Sequence, residues 1–124
     1  MKRIIASPDA PAAIGPYSQA VEINGTLYVS GQLPVNPVSG TIPEGIEAQT
    51  RQSLDNIMAI LKQAEMGPDN VAKTCVLLQH ISDFAAMNAV YAEYFPNDKP
   101  ARVCYEVAAL PKGALVEIDA IAGE

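Results

Sequence analysis

Apolar and polar residues alternate on both sides of Asn24-Gly25, over residues 20–23 and 26–30. This pattern predicts two short strands joined by the dipeptide that most readily supplies the positive φ angles of a two-residue turn. A turn-rich stretch follows, with Pro34, Asn36, Pro37, Ser39, Gly40 and Pro43. Ile46, Leu54, Ile57, Met58, Leu61 and Ala64 then fall at helical spacing. Glu44 and Glu47 are placed in the first turn of that helix, where its dipole favours negative charge, and Gly67-Pro68 supplies the stop. Residues 71–78 predict a strand. Ser82 is expected to cap a second helix whose apolar stripe is Phe84, Met87, Val90, Tyr91, Tyr94 and Phe95, ending at Pro96. Residues 101–109 and 114–121 predict two last strands.

The order ββαβαββ argues for an α+β fold, a single-domain sandwich over residues 1–124 with a mixed sheet and two helices on one face. The other face has no covering layer from its own chain. Strand alternation sends Val103, Tyr105 and Val107, with Val116, Ile118 and Ala120, to one side, expected to pack on the helices. Arg102, Cys104, Glu106, Leu115, Glu117, Asp119 and Ile121 fall on the other, joined by Cys75 and Leu77 from the middle strand. That mixture of charged and apolar groups has the composition of an interface, so a homo-oligomer is expected.

With 124 residues, 49% hydrophobic and 18% charged, the chain is too apolar for intrinsic disorder, and one core suffices. Eight Lys and Arg against fourteen Asp and Glu give a net charge of -6, which argues against nucleic acid as the main partner. The apolar run after Lys2-Arg3 is far too short for a signal-peptide core, and no segment approaches membrane-spanning length. No membrane association is therefore expected, and a cytoplasmic location is. Cys75 and Cys104 lack a CxxC pattern and are expected to be free thiols. With His80 as the only histidine, neither a His-based metal cluster nor a Ser-His-Asp triad is readily assembled, and phosphate-binding glycine loops are missing.

Arg102 and Glu117 are the pair with the most chemistry. Projecting from one face of neighbouring strands, they are expected to stand close together in a partly desolvated cleft. Arginine's fork of donors suits a carboxylate ligand, and a nearby glutamate suits holding a water or moving a proton. A plain cross-strand salt bridge is the alternative. Cys104, two residues from Arg102, is either a nucleophile or a small buried thiol. Gly31, in Ser30-Gly31-Gln32, either lets a ligand approach the backbone or merely ends a strand. Asn88 breaks the stripe of the second helix at an inward position, as an internal hydrogen-bonding group or a ligand contact. Tyr17, after Gly15-Pro16, lies in a loop able to fold over a cleft. His80 is a surface or capping residue.

Pro100-Ala101-Arg102-Val103-Cys104-Tyr105-Glu106-Val107, then Leu110-Pro111-Lys112-Gly113 and Val116-Glu117-Ile118-Asp119-Ala120-Ile121-Ala122, strongly resembles the C-terminal signature of the reactive intermediate deaminase (RidA, or YjgF) family. Ala13-Ile14-Gly15-Pro16-Tyr17-Ser18-Gln19-Ala20, Val29-Ser30-Gly31-Gln32 and Asn88 also fall where that family has them. The resemblance implies a chorismate-mutase-like fold and a homotrimer with the bare sheet face inward and active sites between subunits. Tyr17 and Arg102 of one site can then belong to different chains. It further implies that Arg102 binds the carboxylate of a small 2-imino acid, that Gly31 and the backbone of Cys104 contact the reacting end, that Glu117 orients the attacking water, and that Tyr17, Ser30 and Asn88 line the pocket. The implied activity is hydrolysis of 2-iminobutanoate- and 2-iminopropanoate-type imines and enamines to 2-keto acids and ammonia, with no metal or organic cofactor. Two departures from the family pattern are a bulkier Tyr105 and a short segment over residues 96–99, which bears on a pocket wall.

Two other functions fit the same fold. One is a non-catalytic trimer that binds 2-keto acids through Arg102 in a regulatory role. The other is a ribonuclease, disfavoured by the acidic charge and the lack of clustered basic or histidine side chains.

Overall fold

The computed structural model describes all residues 1–124. Six strands form one sheet: β1 (Arg3–Ile5), β2 (Ala20–Ile23), β3 (Thr26–Gln32), β4 (Val71–Leu78), β5 (Ala101–Glu106) and β6 (Val116–Gly123). Two helices, α1 (Ile46–Gln63) and α2 (Phe84–Tyr94), cover one face. The strands lie in the order β1-β2-β3-β6-β4-β5, all neighbours antiparallel except β4 and β5. The mixed character arises because α2 carries the chain from β4 back to a parallel β5, the connection such strands require.

The predicted hairpin is present, with Asn24 and Gly25 at φ 50° and 79°, the pair of left-handed residues that the tight turn demands. β1 goes beyond the sequence expectation. Its three residues are too few to show alternation, and it is held by pairing Arg3 opposite Glu22, whose side chains form an ion pair. The predicted cap of the second helix shifts by one residue. Residues Ile81–Asp83 make a 3-10 turn led by His80, so Asp83 is the N-cap and no side chain caps α2. Glu44 likewise lies ahead of α1, leaving Glu47 as the acidic residue of its first turn.

The core lies between sheet and helices. Leu54, Ile57, Ile60 and Leu61 of α1 and Met87 and Tyr91 of α2 pack on Leu27, Val76, Leu78, Val116, Ile118 and Ala120. At full burial each such aliphatic side chain contributes roughly 1.5–3 kcal/mol. Asn56 is fully buried on α1, and its amide donates to the carbonyls of Leu33 and Val35 at 3.2 and 3.0 Å. This fixes the turn-rich segment after β3 against the helix.

The face assignment holds for β6 and is reversed for β5. Thr74 and Val76, both buried under the helices, stand opposite Arg102 and Cys104, so these two residues point toward the helices. Val103 and Tyr105 point to the open face and are 40% and 49% exposed. The expectation took the most apolar set as the inward one. On an edge strand whose outer face is uncovered within the chain, that inference fails, because apolar character no longer reports which side meets the core. Arg102 and Glu117 are therefore not on one face of neighbouring strands. They lie on opposite faces with β4 between their strands.

Candidate active site

The first half of the site lies on the open face around Gly31. β3 and β6 pair Val29 with Ala120 and Gln32 with Ile118, so Ser30 and Gly31 together oppose one residue, Asp119. Such a bulge re-aims the strand and marks a place where it departs from the ladder. A Cβ at Gly31 would stand 2.6 Å from Oε2 of Glu117. Only glycine leaves room for that carboxylate, which lines a recess of about 230 Å³ with Gly31, Cys75, Leu77 and Asp119.

No basic side chain forms an ion pair with Glu117. Burial first, and then the Asp119 carboxylate two residues on, push its proton affinity above the ordinary carboxylate range. Burial also raises Asp119, opposed by a hydrogen bond from the backbone of Cys75 and by Lys73. A half-buried carboxyl held closer to neutral suits both accepting and returning a proton.

Gly31 also lines a cavity of about 490 Å³ whose wall includes Tyr17, Gln19, Leu33, Val35 and Lys112. Tyr17 is 53% exposed, on a loop fastened from beneath. Gln19, which is buried, accepts from the Ser7 amide at 2.6 Å and donates to the carbonyls of Ser7 and Pro11 at 3.2 and 2.8 Å. Ser30 donates its hydroxyl to the Ser18 carbonyl at 2.6 Å, and its amide to that of Gln19 at 2.9 Å. Ser30 thus joins the bulge to the loop carrying Tyr17.

The second half lies across the sheet, between β5 and α2. Nη1 of Arg102 donates to Oδ1 of Asn88 at 2.6 Å, which gives the inward amide of α2 its partner. The guanidinium carbon sits 4.8 Å from the ring centre of Tyr91 and 5.5 Å from that of Phe84. Aromatic faces attract a cation without neutralising it, and no carboxylate of the chain pairs with Arg102. Its remaining donors stay free for an anion. Tyr91 is itself fixed by a 2.7 Å hydrogen bond with Thr74.

Cys104 packs against the core beside Arg102. Burial pushes its thiol up, only partly opposed by the guanidinium, which keeps the sulfur protonated and argues for the plain buried thiol over the nucleophile. Cys75 is raised likewise, by burial and then by Asp119. His80 is exposed and begins the 3-10 turn, as a capping residue. No cluster of three or more His, Cys, Asp or Glu side chains is placed to hold a metal.

Of the residues expected at the site, Tyr17, Ser30, Gly31 and Glu117 gather on one side of the sheet, and Asn88, Arg102 and Cys104 on the other. Sequence reasoning missed Gln19 and the rings under Arg102, and it placed Asp119 on the face of Glu117 without singling it out as part of the site. Asp119 was legible as an i, i+2 companion of Glu117 on one strand. The rings of Phe84 and Tyr91 were hidden inside an apolar stripe that reads as core.

The structure is a six-stranded α+β sandwich with an unpaired, ring-backed arginine on one face and a desolvated carboxylate beneath a glycine bulge on the other. The sequence profile of the family described as Endoribonuclease L-PSP matches residues 7–124. The 2-iminobutanoate/2-iminopropanoate deaminase of Capra hircus is 54% identical over 98% of this chain and 90% of its own length. A Rid family protein of unknown function from Yersinia pestis superimposes with a TM-score of 0.97 at 51% identity, covering 100% of both chains. Escherichia coli TdcF with bound serine gives 0.96 at 40% identity over 98% of both. The chain belongs to this family, the reactive intermediate deaminase group expected from its motifs.

Proposed function

We propose that the protein hydrolyses small 2-imino acids and their enamine tautomers, of the 2-iminobutanoate and 2-iminopropanoate type, to 2-keto acids and ammonia. The observation that carries this is the free guanidinium of Arg102, aimed by Asn88 and backed by Tyr91 and Phe84, in a family whose 54%-identical relative bears that activity in its name. The serine bound to TdcF supports a ligand of amino-acid size and carboxylate chemistry.

Because Arg102 and Glu117 occupy opposite faces, the site is completed between chains. One chain gives Arg102, Asn88 and the backbone of Cys104; a neighbour gives Tyr17, Ser30, Gly31 and Glu117. A homotrimer with the open faces turned inward accounts for the exposed Tyr28, Val103 and Tyr105 on that face. Arg102 grips the substrate carboxylate in two-point fashion, which places C2 of the imine against the recess under Gly31. Glu117 holds a water and takes its proton as the oxygen adds to C2. The proton passes to nitrogen, the carbinolamine expels ammonia, and the C=O bond replaces C=N. Water and imine thus balance keto acid and ammonia, and no external redox partner or cofactor enters. A cytoplasmic setting is supported by the two free cysteines.

The test is 2-keto acid release when the purified protein is added to a threonine dehydratase reaction, beside Arg102→Ala and Glu117→Ala with folding verified by circular dichroism. Acceleration by the wild type, reduced at least about 100-fold in both variants, is expected for groups acting on the reacting centre. No acceleration, with 2-keto acid binding intact, would establish the regulatory binding protein instead. Cleavage of RNA is opposed by the charge of -6 and the isolation of His80, and is checked with the same preparation.

A further inference from the structure

Beside Arg102 lies a cavity of about 440 Å³ that the imine chemistry above does not fill, walled by Asn88, Tyr91, Phe95, Lys99, Pro100 and Arg102. It lies in the size range of pockets that enclose whole organic ligands, and exceeds what one carboxylate and a two-carbon side chain need. Both charged groups in its wall are cations. Neither takes part in the chain's two ion pairs, Arg3 with Glu22 and Arg51 with Glu93, although acidic residues outnumber basic ones fourteen to eight.

The ammonium of Lys99 is also tethered. Nζ donates to the carbonyl of Phe95 at 3.1 Å, at the C-terminal end of α2, which draws a long side chain back to the cavity and leaves two of its three donors unused. Capping a helix end explains one hydrogen bond. It does not explain why the capping cation stands in one wall with an unpaired arginine and no acid.

We infer that Lys99 and Arg102 together form a two-carboxylate subsite, so that this protein accepts dicarboxylic 2-imino acids, whose second carboxylate lies one or two methylenes beyond C2, in addition to the short aliphatic ones. Resting on the deaminase function proposed above, the assignment gives Arg102 the carboxylate next to the imine and Lys99 the distal one. Tyr91 and Phe95, packed with ring centres 4.9 Å apart and planes tilted by 43°, provide the apolar wall along which the methylenes lie.

The experiment compares wild type, Lys99→Met and Lys99→Arg on imines generated in situ from glutamate and from 2-aminobutanoate by amino-acid oxidases. Calorimetric binding of 2-oxoglutarate and 2-oxobutanoate to the same proteins runs in parallel. The expected result is that Lys99→Met lowers the glutamate-to-aminobutanoate ratio of kcat/KM by about fivefold or more, the scale of a part-exposed charge pair, and that Lys99→Arg retains it. A helix cap alone would change both substrates together and leave the ratio fixed. An unchanged ratio in Lys99→Met, or a wild type that accelerates the aminobutanoate imine only, overturns the subsite. If the wild type accelerates neither imine, the deaminase function falls, and binding alone decides the subsite. Tighter 2-oxoglutarate than 2-oxobutanoate binding, lost in Lys99→Met, supports it; equal affinities refute it.

Discussion

Gly31 shows how far a single missing side chain can set a site. Its Cβ would meet Glu117 at Oε2, Cδ and Cγ, at 2.6, 3.0 and 3.3 Å. These atoms are the far end of a flexible side chain, so relief costs little packing energy but moves the carboxylate from its place. Gly31→Ala is expected to fold with a melting temperature near that of the wild type, while kcat/KM for a 2-iminobutanoate substrate falls roughly 10- to 100-fold, since positioning errors of about 1 Å cost that much. Thermal denaturation beside the coupled dehydratase assay reads both; a large loss of stability with activity retained in the surviving protein would refute the assigned role. Sequence alone left this glycine between a close approach and a strand end, because the deciding fact is a neighbour on β6, far away along the chain.

At the scale of elements, local signals and long-range ones part company. The hairpin, α1 and β4 were legible because each is written in adjacent residues: Asn24-Gly25 for the turn, an i, i+3, i+4 stripe for α1, and a continuous run for β4. β1 was not, since three residues paired with a distant strand, Arg3 with Glu22 and Ile5 with Ala20, carry no periodicity. The phase of β5 is not legible in its hydrophobicity, because Val103 and Tyr105 face outward while Arg102 is sheltered under α2. The segment after β3 has no regular structure, and it takes its shape from Asn56 on α1. Asn56→Leu strands two carbonyls and is expected to cost about 2 kcal/mol or more, at 1–3 kcal/mol per orphaned group. The urea midpoint measures that loss. Because Leu33 and Val35 also wall the cavity beside Tyr17, KM should rise in the same variant.

For the whole molecule, the open face is where the sheet lacks a covering layer. The sheet has helices on one side only, and the face bearing Tyr28, Val103, Tyr105 and Glu117 meets nothing of its own chain. The oligomer expected from the mixed composition of that face was reached with β5 facing the wrong way, yet correcting β5 strengthens it, since two aromatic or branched side chains join the uncovered surface. Under the proposed assembly, the placement of Arg102 and Glu117 on opposite faces also makes the activity divisible. In the proposed homotrimer each chain carries half of two different catalytic centres, so two inactive proteins, Arg102→Ala and Glu117→Ala, can supply each other's missing group. Unfolded together and refolded as a mixture, they should regain about a quarter of wild-type turnover by random assortment in a closed ring, while either alone regains none. Inactivity of the mixed assembly would mean that both groups serve from one chain. Its recovery would show that a harmful change in one gene copy can be masked by a different harmful change in the other, a genetic signature written by nothing more than the side of a sheet on which an arginine stands.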